Sequence, residues 1–270
     1  MRRQVSLAAF AALIAVLAGT ACSGTPASSA AGSATAAPAR SATATAAPAR
    51  SAAGAAAAAP GFTVAGVRPV PPNGSQDTGA RAAGASCDAG QLAADRRLGD
   101  QIAAGFSVAG LPASAGLLRH FLAGSGTGVS YRAGSLISRL AAASTAFLAV
   151  NADVQSAVIR QLKAGRTRVR LSAAQLPTVA FDSAGGELYW GFRGTQGLSV
   201  TGSGHRENSR YSGTLSYVIR DSYGFPAGDT LGGFGAPMRY LQTACGAPGH
   251  AGAHWFPDAI TVTVPFTAAV

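Results

Sequence analysis

Residues 144–171 read STAFLAVNADVQSAVIRQLKAGRTRVRL, and a change of rhythm inside them sets the architecture. Phe147, Val150, Val154, Val158 and Leu162 recur at three- and four-residue spacing, so a helix over 144–164 gathers them on one stripe. Gly165 follows where a helix ends easily, because a residue without Cβ takes the left-handed turn at no steric cost. Val169 and Leu171 then alternate with Arg168 and Arg170. That period of two gives one apolar and one polar face only in an extended strand.

Helical spacing extends towards the N-terminus. Residues 91–106 carry Leu92, Leu98, Ile102 and Phe106 among Asp and Arg. A second helix is predicted over 112–122, with Pro112 at its start, Gly124 past its end, and Leu117, Leu118, Phe121 and Leu122 turned to a core. Strands lie towards the C-terminus. Val179 and Phe181 mark one, and Leu188, Trp190 and Phe192 alternate in the next. Residues 198–201 and 211–220 form a hairpin around GSGHRENSR, a short helix fits 237–243, and ITVTVPF closes the chain in a strand over 258–267. Helices first and sequential strands afterwards predict an α+β fold, with N-terminal helices packed on one face of a mostly antiparallel β-sheet.

The chain has 270 residues, and its ends divide from its middle by composition. Arg2 and Arg3 precede an apolar run over 7–17, the proportions of an export signal and too short for a durable membrane span. Gly19-Thr20-Ala21-Cys22 resembles the lipobox of bacterial lipoproteins. That resemblance implies cleavage before Cys22, a lipid on its thiol, and anchoring to the outer face of the cell membrane; an ordinary signal peptide with Cys22 incidental is the other reading. Residues 1–22 are therefore read as the signal peptide and 23–86 as a disordered tether. Ala, Ser, Thr, Pro and Gly dominate the tether, SATAAPAR at 33–40 nearly repeats at 41–50, and Pro26, Pro38, Pro48 and Pro60 interrupt any helix. Such a chain spans about 5–6 Å × √n, which sets a domain tens of ångströms from a surface. Residues 87–270 are left as a single extracytoplasmic domain, long enough for one sizeable core.

Two cysteines remain beyond Cys22. In an oxidising compartment Cys87 and Cys245 read as a disulfide joining the start of the domain to a point near its end. A thiolate nucleophile, with His250 close in sequence to Cys245, is the alternative.

From residue 61 onward 17 Lys and Arg face 11 Asp and Glu, a net charge of +6. An exported domain so charged is drawn to anionic cell-wall components or lipid head groups. Arg166, Arg168 and Arg170, with Arg160 and Lys163 before them, form the densest cluster and the candidate anion-binding site; a helix C-terminus charged to suit its dipole is the plainer account. Without aromatic residues interleaved among these cations, and outside the cell, nucleic acid is not an expected partner.

Motifs with chemistry are sparse. GxSxG, HExxH and the phosphate-binding loop do not occur, and no cofactor is expected. GSGTG at 124–128 follows a helix instead of leading one, which makes it a helix stop. His250 and His254 stand four apart and would share a helix face as metal ligands, although Pro248, Gly249 and Gly252 oppose a helix there; Asp258 is the nearest carboxylate. The richest stretch is YVIRDSYGFPAGDTLGGFGAPMRYLQ over 217–242. Asp221, Tyr223, Asp229 and Arg239 lie there at a strand end and in a glycine-rich loop, where they could activate water or bind phosphate, or simply cap and pack a structured loop.

LLRHFLAGSGTGVSY, GFRGTQGLSVTGSG and YSGTLSYVIRDSYGF resemble an uncharacterised family of secreted actinobacterial lipoproteins and, more distantly, toxin domains of colicin-M-like type. The toxins carry Asp-x-Tyr-Asp followed shortly by His-Arg, and they cleave a lipid-linked precursor of the cell wall. Asp221 and Tyr223 match the first Asp and the Tyr; Gly224 stands at the second Asp, and no His follows in range. The resemblance implies Asp221 as base or metal ligand, Tyr223 positioning, and Asp229 and Arg239 as stand-ins for the rest. Two functions follow as expectations. One is a lipid-anchored envelope protein that binds a partner or wall component, and the other is an envelope hydrolase acting on a lipid-linked precursor. The second requires Asp221, Tyr223, Asp229 and Arg239 to converge.

Overall fold

The computed structural model describes residues 61–69, 86–181, 186–226, 233–246 and 252–269. The helices are α1 (Ala89–Val108), α2 (Pro112–Ala123), α3 (Leu136–Ala143), α4 (Thr145–Lys163), α5 (Gly186–Gly191) and α6 (Gly235–Thr243). The strands are β1 (Gly61–Arg68), β2 (Val129–Tyr131), β3 (Arg168–Leu171), β4 (Val179–Ala180), β5 (Thr195–Glu207), β6 (Arg210–Tyr223) and β7 (Phe256–Ala269). They make one sheet in the order β2-β7-β6-β5-β1-β3, with β4 added to β5. β5, β6 and β7 run antiparallel, as does β1 against β5; β1 lies parallel to β3, and β2 parallel to β7. The fold is α+β on a mixed sheet.

The order of elements corrects the sequence reading. Helices do not simply come first. β1 precedes every described helix and sits inside the sheet between β5 and β3, while α5 and α6 fall between strands. Residues 61–68 are a strand and not part of the tether: GFTVAGVR alternates strictly, burying Phe62 and Val64 and exposing Thr63 and Ala65. Its small residues mask the alternation, and Gly66 needs to be small: a Cβ there would stand 2.8 Å from the Leu171 Cβ.

Two further corrections concern the strands. Leu188, Trp190 and Phe192 belong to or flank α5, not a strand. Residues four apart share a helix face, and the Phe192 amide donates to the Leu188 carbonyl at 3.0 Å. GSGHRENSR is not a loop: strand continues to Glu207, and the chain reverses at Asn208, whose φ of 52° is left-handed. Gly204 pairs with Gly213 there, and a Cβ on Gly204 would lie 2.2 Å from the Ser212 carbonyl oxygen and 2.5 Å from the Phe62 ring. Glycine in this hairpin permits close strand approach instead of signalling a turn.

The expected long helix is present as α4, preceded by α3, which the sequence reading left out. Ser144 ends α3 and caps α4, its hydroxyl accepting from the Phe147 amide, and the two axes meet at 70°. α4 buries Phe147, Val150, Val154, Val158 and Leu162, the stripe read from the sequence. The inner sheet face answers with Phe62, Val64, Val169, Leu198, Val200, Leu215, Tyr217, Ile260, Val262 and Phe266. The Phe147 and Tyr217 rings meet edge to face at 5.1 Å. No single helix among the described residues is long and apolar enough to cross a membrane.

Cys87 and Cys245 are joined in a disulfide across a sequence separation of 158. The Tyr240 hydroxyl reinforces this junction, accepting from the Asp88 amide at 2.7 Å and reaching the Ser86 carbonyl at 3.3 Å. The segment leading into α1 is thus fastened to α6. A disulfide is compatible with an extracytoplasmic protein.

Candidate functional site

β6 and β7 send alternate side chains to the helix-covered face, and each strand carries one aspartate in that phase. On β6 the sequence is Tyr217, Ile219, Asp221, Tyr223; on β7 it is Phe256, Asp258, Ile260, Val262. The register places Asp221 directly opposite Asp258. Side chains at opposed positions of an antiparallel pair stand within a few ångströms of one another, so two carboxyls share one spot. Asp221 is 6% exposed and Asp258 2%.

Burial disfavours charge on both. It pushes the Asp221 carboxyl up to about 7, against hydrogen bonds from the Ser222 amide and Gln196 that favour the ionised form. Burial again, and then the Asp221 charge, hold Asp258 well above the usual carboxylate range. No donor of another residue meets either carboxyl oxygen of Asp258, and its own amide alone favours the ionised form. From β2, Tyr131 faces the pair: burial first, then the charges of Asp258 and Glu187, raise its phenol to about 12. From β5, the Gln196 side chain lies within hydrogen-bonding reach of Asp221.

Glu187, the third buried acid here, is already committed. Its carboxylate accepts from the Ala113 amide at 2.8 Å, the Ser114 amide at 2.6 Å and the Ser114 hydroxyl at 2.5 Å. These donors belong to the first turn of α2, whose N-cap Leu111 supplies no side-chain acceptor. A carboxylate from another helix thus caps α2, where amides are unsatisfied and the dipole is positive. Glu187→Ala is expected to lower unfolding stability by about 2–3 kcal/mol, measured by urea denaturation, because three donors lose a charged acceptor.

Asp221 and Tyr223 share the inner face of β6, but Tyr223 is 8% exposed, with its ring stacked on Phe256 at 5.3 Å and edge-on to Phe121 at 6.1 Å. Arg239 is half-buried on α6, and Asp229 lies outside the described residues. The partner that the fold gives Asp221 is Asp258, which the sequence reading had placed only beside the histidine pair. Strand phase marks each aspartate as buried, since each interrupts an apolar alternation, but not their pairing, which is set by register. His250 and Cys22 also lie outside the described residues. His254 stands in the irregular segment before β7, its amide donating to the Phe121 carbonyl at 3.3 Å. No group of three or more His, Cys, Asp or Glu that could hold a metal occurs among the described residues. GSGTG is the helix stop expected of it: Gly124 ends α2 with φ 69°, and the His120 imidazole ties the loop down through Thr127 and Ser125.

The arginines occupy the other side of the sheet. Arg166, Arg168 and Arg170 are exposed, and the latter two project outward from β3 opposite Thr63 and Ala65 of β1. Following the register across the sheet, Thr63 faces Ser203, which faces Thr214; Ala65 faces Thr201, then Ser216, then Thr263. These outward positions are exposed or half-buried. Arg220 stands among them, its guanidinium donating to the Ser199 hydroxyl. Arg210 lies near the hairpin tip beside the one outward-facing strand carboxylate among the described residues, Glu207, which contacts His205 at 3.9 Å. Arg160 and Lys163 end α4, where cations complement the dipole.

Comparison of the chain with protein-family models, curated proteins and solved structures gives no match.

Proposed function

We propose that the chain is an exported, membrane-tethered envelope domain whose uncovered sheet face binds a phosphate-bearing wall polymer. One observation carries this reading: the outward face combines a grid of hydroxyls with Arg168, Arg170, Arg210 and Arg220 and one opposing carboxylate, Glu207. Serine and threonine at alternate strand positions offer donors and acceptors to a polyhydroxylated chain, and guanidinium forks match phosphate. The lipobox-like Cys22 and the Ala/Ser/Thr/Pro-rich stretch supply the anchor and reach. The buried residues at Asp221 fit this division, since Asp221, Tyr223 and Asp258 are shut from solvent on the opposite side.

The test is sedimentation of the purified protein with cell wall, before and after chemical removal of the wall's phosphate polymer. Binding is expected to require the polymer and to weaken as ionic strength rises from about 0.05 to 0.5 M, because surface charges are screened beyond a Debye length of a few ångströms. Replacing Arg168, Arg170 and Arg220 together with alanine is expected to weaken binding by roughly tenfold. Binding that ignores salt, or that survives removal of the polymer unchanged, overturns the reading.

A further inference from the structure

We infer that the bend between α3 and α4 rests on an anionic lipid bilayer, which it enters through Leu136, Leu140 and Leu148. Three of the five large apolar side chains exposed among the described residues fall between positions 136 and 148: Leu136 at 47%, Leu140 at 38% and Leu148 at 51%. Leu136 and Leu140, four apart, share one face of α3, while Ile137 and Ala141 fill the core. Leu148 lies in the first turn of α4, just past Ser144, where the two axes meet at 70°. Leucines gathered at an exposed helix bend leave apolar surface in water that an interface would cover.

Charge is the second observation, and it says what covers them. Residues 101–152 contain Arg119, Arg132 and Arg139 but no Asp or Glu. Arg132 and Arg139 are exposed. The Arg139 guanidinium donates to the Gly134 carbonyl, which ties it to the loop that carries Arg132. Two cations thus stand at the rim of the leucines, and no carboxylate along the segment opposes them. Leucine within and arginine at the rim is the arrangement by which a surface helix enters the boundary between acyl chains and phosphate head groups. A second copy of the chain would bring the same cations together, which disfavours it as the cover. The inference rests on the membrane tether of the proposed function and not on the wall polymer. On that reading the bilayer is held within a tether's length of the domain, at high effective concentration, so weak entry suffices.

The test uses the chain with Cys22→Ser, which carries no acyl group, and an environment-sensitive fluorophore on one introduced thiol, Leu148→Cys or, on the outward sheet face, Thr201→Cys. Vesicles contain phosphatidylcholine and phosphatidylglycerol in equal parts. On their addition the probe at 148 is expected to shift to the blue, gain roughly twofold in intensity and be quenched by nitroxide lipid, while the probe at 201 stays unchanged. Arg132→Ala with Arg139→Ala should weaken vesicle affinity roughly tenfold. No change at 148, an equal change at 201, or affinity unaltered in the arginine pair overturns the inference. So does a change at 148 that follows protein concentration without lipid, which makes a second copy the cover. Vesicles hold no wall and wall sedimentation needs no vesicles, so the failure of either result is told apart from the failure of the other.

Discussion

Opening the Cys87–Cys245 bond is expected to lower unfolding stability by about 5 kcal/mol, the largest loss from any single covalent change in this domain. The bond closes a loop across 158 positions, and the chain-entropy cost of that loop falls on the unfolded state. Little of it is recovered by other contacts when the bond is opened. The segment entering α1 would then rest on the Tyr240 hydroxyl, with its bonds to the Asp88 amide and the Ser86 carbonyl. Cys87→Ser with Cys245→Ser, compared with the oxidised protein by guanidinium denaturation, measures the loss. The slope against denaturant should rise, because the uncrosslinked chain exposes more surface on unfolding. Equal unfolding free energies for the two proteins, from midpoint and slope together, would show that the bond contributes nothing to stability.

The second large effect is a pH dependence of unusual sign. Most acids in folded proteins are held below their ordinary values and protect against acid. Asp221 is raised from 3.8 to about 7, and Asp258 is raised as well. A group raised on folding contributes stability below its unfolded value and loses it as pH climbs through the folded one. Stability is therefore expected to be highest near pH 4–5 and to decline towards pH 8. At about 1.4 kcal/mol per unit, the decline attributable to Asp221 is on the order of 4 kcal/mol. Asp258→Asn removes the like charge, so it should flatten the profile and raise the unfolding temperature at pH 8. A profile that is flat or rises across this interval would mean that burial does not disfavour charge on the pair.

Much of the helical layer was legible. Phe147 to Leu162 on α4, Pro112 and Gly124 at the ends of α2, and the alternation of β7 are local signals, and local signals survive folding. β1 was not legible, because GFTVAGVR offers only Phe62, Val64 and Val67 beside a proline-rich segment and its partners lie far along the chain. The α5 segment was misread because Leu188 and Phe192 satisfy a strand and a helix alike; the choice rests on Glu187 reaching α2, a contact 73 and 74 positions away. The candidate site divides in the same manner. An aspartate between Ile219 and Tyr223, and another between Phe256 and Ile260, each announce a buried acid. That the two stand opposite each other depends on the register of β6 against β7, which residue type does not encode. The hydroxyl grid is likewise a property of register.

The place of β1 also has a temporal meaning. Protein synthesis proceeds from the N-terminus, so Gly61 is made long before His205, the residue it pairs with. Until β5 exists, β1 has β3 alone beside it, and the central seam of the sheet cannot be closed. Contacts so remote in sequence make acquisition of the native state slow, since each must overcome a large loop-closure entropy before it is rewarded. The chain therefore remains open, with Phe62 and Val64 uncovered, for most of its own synthesis. That is the interval in which it is most exposed to proteases and to wrong partners.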